Sequence, residues 1–381
     1  MRVRGPAMSG APTKAAAPLP GSDVALDPHP PALAPGRHGA LRRAVTSPFF
    51  PIWPATVLLF AVSPLIAPGS LRASALTSIL PFAAMLAIAG IGQTLVIQQR
   101  GLDLSLPGMI SLATIIITKY PNGENSKLLP AIGLVALACV LSGLVSGFAV
   151  TRLRITPLVA TLGVNALLLG TILQITNGSS TANPAPALAS LAFGKTGGIP
   201  NTVLIGAGVV AVVALLVRTT TAGRRFIAVG TSVPAAFVAG IRVQAYVWGT
   251  YLAASLFYGL AAILVAGYVG TPGLSAGNDY LLPSITAVVL GGASLAGGSG
   301  SVIGTAVGAV FLTQLQQDVF GAGAPTSVQY LIQAGVIAIA MAMRNLHWGA
   351  YVVARVRALG GSGRRSAGVP ALAAEAVEGN G

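Results

Sequence analysis

Gly223-Arg-Arg-Phe-Ile-Ala-Val-Gly230, continued by Thr231-Ser-Val-Pro-Ala-Ala-Phe-Val-Ala-Gly-Ile241, is a polar, basic passage lying between two long apolar runs. From Arg218 to Arg242 it holds four arginines, in a chain that is only 8% charged and 54% hydrophobic. A soluble globular chain carries about 25% charged residues. The surroundings of this passage are therefore adapted to lipid, and the passage itself is adapted to water. It reads as a segment that leaves the membrane and meets a partner there. The fold class that follows is all-α: a polytopic integral membrane helical bundle.

Outward from that segment, apolar runs bounded by charges or turn residues fall at 52–68, 76–99, 104–119, 128–151, 156–176, 199–217, 245–269, 281–297, 300–318 and 327–343. A bilayer core about 30 Å thick needs about 20 apolar residues per helical crossing. The run at 104–119 is short and carries Pro107, and only Gly297-Gly298-Ser299 parts the eighth run from the ninth. The expectation is about 9–10 transmembrane helices. The 48 glycines suit helices that approach closely in lipid.

The net charge of +14 could suggest nucleic acid, but its distribution excludes that reading. With the N-terminus inside, 18 of the 22 basic residues fall in inner segments, and only Arg72, Lys119, Lys127 and Lys195 fall outside. That asymmetry is the orientation signal of a membrane protein. It places both termini, and the Arg218–Arg242 loop, in the cytoplasm. Residues 1–45 and 358–381 read as disordered cytoplasmic tails, and 50–345 as the transmembrane domain. No apolar region follows the first charges, so the start does not read as a cleavable signal peptide.

Catalytic and metal chemistry find little support. The three histidines, His29, His38 and His347, stand in tails or terminal loops. Cys139 is the single cysteine and reads as a small core residue. Gly194-Lys195-Thr196 resembles the end of a phosphate loop, but position 189 is Ala where such a loop needs Gly. The chain thus lacks a nucleotide-hydrolysing site of its own and reads as no enzyme. It implies no metal and no bound cofactor.

Several positions have structural and functional readings side by side. Gly300, Gly304 and Gly308 form a small-residue ridge for helix packing, and the preceding Leu290–Gly298 is glycine-rich enough for a broken or re-entrant segment. Asp103 either caps the helix that follows, pairs with Arg100, or acts at the membrane boundary. Gln93, Asn165 and Gln174 are polar positions within apolar runs and should face the bundle interior. Gln314, Gln316, Gln317 and Asp318 read as a solvated helix end. Gln93, Asp103, Thr161, Asn165 and Ser294 are the candidates for a translocation pathway or gate.

Four blocks carry a family resemblance over about Leu76 to Asn345. They are Gly92-Gln-Thr-Leu-Val-Ile97 with Gly101-Leu-Asp-Leu-Ser105; Pro157-Leu-Val-Ala-Thr-Leu-Gly163 with Thr176-Asn-Gly178; Thr221-Ala-Gly-Arg-Arg225 with Ala228-Val-Gly230, Ala235-Ala236 and Ala239-Gly-Ile241; and Ala287–Gly304. Together and in order, they resemble the transmembrane permease subunit of ribose/xylose/galactose-type ABC sugar importers, a branch related to the branched-chain amino acid permeases. Two departures stand out. Pro234 takes the place of a usual Glu in the cytoplasmic loop, and Arg100 stands where many relatives have Gly.

The resemblance implies a cycle. A binding protein outside the cell delivers a monosaccharide, two permease subunits (identical or different) enclose the pathway, and a separate cytoplasmic ATPase drives it with ATP. In these permeases the loop at 218–242 resembles a coupling helix that docks in the ATPase, so Arg224, Arg225, Pro234, Ala235, Ala236, Gly240 and Ile241 are the docking residues it implies. Pro234 removes one polar contact there but is tolerated in a first helical turn. The setting implied is the bacterial plasma membrane. The alternatives are a branched-chain amino acid-type ABC permease and a secondary active transporter, the latter disfavoured because no acid stands at the centre of a span.

Overall fold

A computed structural model describes residues 49–179 and 182–345. The tails expected at 1–45 and 358–381, with His29, His38 and His347, lie outside the described residues. Within them the elements in order are α1 (Ile52–Ile66), α2 (Ala73–Gln98), α3 (Leu106–Lys119), α4 (Leu128–Thr151), α5 (Pro157–Thr176), α6 (Pro186–Phe193), α7 (Asn201–Thr219), α8 (Thr221–Thr231), α9 (Val233–Val238), α10 (Val243–Val269), α11 (Asn278–Leu290), α12 (Val302–Gly321) and α13 (Thr326–Asn345). A two-residue hairpin, β1 (Lys195–Thr196) with β2 (Ile199–Pro200), turns through Gly197 and Gly198 at φ +60° and +82°. Lys195 therefore belongs to a small hairpin and not to a phosphate loop.

Every apolar run expected to cross the membrane contains a helix, but five of the helices are long and apolar enough to do so alone: α2, α4 with the turn before it, α5, α7 and α10. The others depend on neighbours. At 1.5 Å per residue, α3 and α11 rise only about 20 Å each, short of the roughly 30 Å core.

α2 and α10 form the centre. α2 packs on α7, α10, α11 and α12, and α10 also covers α3, α4 and α6. From Ala83 to Gln98 every residue of α2 is buried. α4, α5 and α7 instead turn Leu137, Leu141, Leu162, Leu167, Val212 and Leu215 outward. That is a lipid-facing surface, where exposed apolar area carries no hydrophobic penalty.

Small residues set how close the central helices come. A Cβ added at Gly304 would meet the Gly291 carbonyl oxygen, and one at Gly308 the Ala287 carbonyl. α11 and α12 therefore touch backbone to backbone, as expected for the glycine ridge. Gly300 is not part of it. α12 starts only at Val302, with Ser301 as N-cap accepting from Gly304 N at 3.0 Å, and Gly300 instead packs under the Gln98 side chain. The eighth run likewise stops as a helix at Leu290. The glycines after it build a loop, with Gly292, Gly297 and Gly298 at positive φ.

α3 and α11 start beside each other. Gly277, just before α11, packs on the Pro107 carbonyl in the first turn of α3 and donates its N–H to Ser111 Oγ at 2.9 Å. From there the two helices run to opposite ends of the bundle. α11 leads to the glycine loop, where Gly298 N bonds Gln98 O at the C-terminal end of α2.

Candidate functional site: a docking end, a polar centre and an opposite cavity

The Arg218–Arg242 passage folds as two short helices at the C-terminal end of α2. α8 is capped by Thr220, whose side chain accepts from Gly223 N at 3.0 Å. α9 is capped by Ser232, which accepts from Ala235 N at 3.3 Å, and Pro234 occupies its first turn. The end of α9 explains Gly240 and Ile241. Gly240, at φ +74°, donates to Phe237 O, and Ile241 N donates to Ala236 O at 3.0 Å. This is a Schellman closure, with glycine at the left-handed position.

The exposed tip of α9 is apolar, while the exposed side of α8 carries Arg224 and Arg225. Phe237 and Val238 are 75% and 87% exposed. Pro234 and Ala235 are exposed beside them, while Ala236 is buried at 3%. Of the candidate docking residues, Ala236 thus faces inward. Arg224 folds back on the end of α7, donating to Thr219 O at 2.9 Å, and Arg225 is exposed.

Arg100 joins this pair to the core, a role the sequence did not reveal. The α2 end closes with Arg100 N on Ile97 O and Gly101 N on Val96 O, which again is a Schellman closure. Arg100 takes the left-handed position at φ +65°, where glycine would be unstrained. Its side chain then donates from Nε to Gly230 O at 3.2 Å and from Nη2 to Thr231 O at 2.7 Å, capping the last carbonyls of α8. Arg100 therefore pairs with α8, and not with Asp103. Gln99 Nε2 adds a bond to Phe226 O at 2.8 Å.

Gln93, Asp103, Thr161 and Asn165 come together around the start of α3. Asp103 Oδ1 accepts from Ser105 N at 2.9 Å and from Ser105 Oγ at 2.6 Å. Gln93 Nε2 donates to Asp103 O at 3.3 Å, while Gln93 Oε1 accepts from the Tyr258 hydroxyl at 3.0 Å. Thr161 Oγ1 accepts from Leu104 N at 2.9 Å and Asn165 Oδ1 from Gly108 N at 2.8 Å. Asp103, Thr161 and Asn165 thus accept from N–H groups at and just before the helix start, where such groups lack backbone partners, and Gln93 holds the Asp103 carbonyl. Irregular backbone at membrane depth requires such protein partners. Ser294 stands apart in the glycine loop, where its N–H bonds Ser299 O.

At the other end of α2 lies a cavity of about 820 Å³. Its walls come from the N-terminal half of α2 (Ile79, Phe82, Leu86), the C-terminal ends of α10 and α12, the start of α11 and the first turns of α13. Asn278, Asp279, Gln316, Gln317, Gln329 and Gln333 line it. The α12 end is consequently no simple solvated helix end. Gln316 and Gln317 turn to the cavity, while Gln314 and Asp318 are buried at 1% on the α1 side. There Ser63 Oγ donates to Asp318 Oδ2 at 2.6 Å and Gln314 Nε2 to Asp318 Oδ1 at 2.9 Å. The glutamine spacing at 316–317 and 329–333 was the available signal for the cavity. It pointed there only once α12 and α13 were known to face each other.

Comparison with known proteins adds to this geometry. A family described as branched-chain amino acid transport system / permease component matches residues 75–341. The ribose import permease protein RbsC of Escherichia coli K12 is 30% identical over 295 residues, covering 76% of this chain and 92% of that protein. The autoinducer 2 import system permease protein LsrD of Photorhabdus laumondii is 31% identical over 265 residues, 68% of this chain and 79% of its own. A probable ABC transporter permease protein, y4mJ of Sinorhizobium fredii, is 33% identical over 238 residues, 62% of this chain and 71% of its own. No solved structure matches the chain.

Proposed function

The chain belongs to the branched-chain amino acid transport system / permease component family, and from that membership we propose that it is the membrane subunit of an ABC importer for a monosaccharide of the ribose, xylose or galactose class. In this reading a separate ATPase docks on α8 and α9, a binding protein delivers the solute to the opposite end, and a second permease subunit completes the pathway. The α8–α9 pair faces the cytoplasm of a bacterial cell. ATP is the partner's substrate, and this chain binds no cofactor.

The observation that carries the reading is the exposed apolar tip at Phe237 and Val238, fixed to the core through Arg100. Exposed apolar side chains at the polar end of a membrane bundle call for a protein partner. ATPase closure would act through this tip on the end of α2 and on the glycine loop, biasing the bundle between two arrangements. The sugar class is supported by the import of ribose in the name of one relative and of autoinducer 2 in that of another.

The test is reconstitution of the chain with its ATPase and binding protein in vesicles, with labelled D-ribose, D-xylose, D-galactose and L-leucine as solutes. ATP-dependent accumulation of a sugar is the expected result. Leucine uptake alone, or sugar uptake driven by a proton gradient without ATP, would overturn the proposal.

A further inference from the structure

We propose that the cavity between α2, α10, α11, α12 and α13 is the site where this permease holds its solute, and that it selects a neutral, hydroxyl-rich molecule over an anionic or zwitterionic one. The proposal rests on the permease reading and adds to it a place and a charge preference.

The first observation is Gln333. Its side chain lines the cavity, is 2% exposed, and its Oε1 finds no hydrogen-bond partner among the described residues. A buried acceptor without a partner is costly. The atom itself is out of reach of water, so a turn of the Gln333 side chain is what would bring it to a donor that enters the cavity.

The second observation is the chemistry of the lining. Four carboxamides besides Gln333 face the space: Asn278, Gln316, Gln317 and Gln329. Each offers both donors and an acceptor, the match for hydroxyl groups, which also do both. Phe82 and Tyr280 supply flat apolar surface for C–H faces. The volume of about 820 Å³ falls within the ~300–1,000 Å³ of small-molecule sites.

Charge settles the preference. Asp279 is the one carboxylate of the lining, and no Lys, Arg or His joins it among the described residues. The start of α11 would by itself attract an anion. Asp279, in its first turn, offsets that attraction. A phosphate ester or an amino-acid carboxylate would therefore enter beside a negative charge without a counter-charge.

The chain lends itself to a direct test because its lone thiol, Cys139, is buried. In the assembled importer with ATPase and binding protein, Ser275→Cys, a lining position outside the carboxamide set, is reacted with a membrane-impermeant maleimide from the cavity side. D-ribose, D-ribose 5-phosphate and L-leucine serve as probes. D-ribose at about ten times its Kd should slow the reaction about tenfold, because it then occupies about nine-tenths of the sites. The other two should leave it unchanged, and adding Gln333→Leu should remove the protection. Gln333→Asn, which keeps the carboxamide, should retain part of it and controls for misfolding.

Equal labelling with and without D-ribose, or equal protection by the phosphate ester, would overturn the site. ATP-driven uptake in the same vesicles separates the two levels. D-ribose uptake without protection sinks the site alone, whereas leucine uptake without sugar uptake sinks the permease reading as well.

Discussion

Arg100 Nη2 lies 2.7 Å from the Thr231 carbonyl oxygen, so the end of the central helix α2 is bonded directly to the end of α8. The arginine holds a left-handed backbone position to do this. Strain of that kind costs about 1 kcal/mol or more. Hydrogen bonds from a charged donor return about 1.5–3 kcal/mol, less where solvent screens them.

Arg100→Gly therefore relieves strain and removes the clamp together. Thermal stability should stay within about 1 kcal/mol of the parent, because the two effects oppose each other. Transport per ATP hydrolysed should fall about tenfold, a coupling loss of ordinary allosteric size. An unchanged ratio of solute carried to ATP consumed would refute a transmitting role for Arg100.

At the exposed α9 tip, side-chain direction separates neighbours. Phe237→Glu or Val238→Glu places a charge on an exposed surface, so folding should be unaffected while co-purification with the ATPase is lost. Ala236→Glu should lower the melting temperature of the permease itself, since that side chain is buried at 3%. If the three variants behave alike in both assays, the assignment of faces is wrong.

The glycine contacts of α12 permit a graded comparison. Gly304→Val and Gly308→Val drive a side chain into the carbonyls of Gly291 and Ala287, which cannot yield without moving a helix. Overpacking of this kind costs about 1–3 kcal/mol, and backbone contact puts these two at the upper end. Gly300→Ala meets only the Gln98 side chain and should be milder. Melting of the detergent-purified chain by fluorescence-detected gel filtration checks the order.

Asp318 anchors α1 to α12 through Ser63 and Gln314. Asp318→Leu removes one of the two acceptors of the Gln314 amide, leaving Ser63 Oγ, and takes the carboxylate from Ser63, at a cost of about 1–3 kcal/mol. Asp318→Asn keeps a carbonyl and should cost less. Equal melting temperatures for the two variants would show that the bonds contribute little.

What was legible in the sequence followed from periods and charges. The apolar runs located the long helices, and the arginine-rich passage located the segment that folds as α8 and α9, because both signals are local. Pro234 was readable as a first-turn residue, and Gly304 with Gly308 as a packing face. Contacts between distant segments were not readable. Arg100 looked like a partner for Asp103 only three residues away, yet its left-handed backbone aims it at α8. Gln93, Thr161 and Asn165 looked like pathway polarity; Thr161 and Asn165 accept from N–H groups around the start of α3, and Gln93 ties Tyr258 to the Asp103 carbonyl. Asp318 looked solvated because its partner Ser63 is 255 positions away.

The paired starts of α3 and α11 also bear on how the chain is made. α3 is too short to settle across a bilayer alone, and α10, which covers it, is synthesised long afterwards. Until α10 and α11 arrive, the start of α3 lacks the Gly277 contact and its N-terminal polar groups lack part of their shelter. The first half of the chain therefore cannot reach its final arrangement during its own synthesis. Severed into two separately expressed pieces, the protein would mature only where both pieces share a membrane.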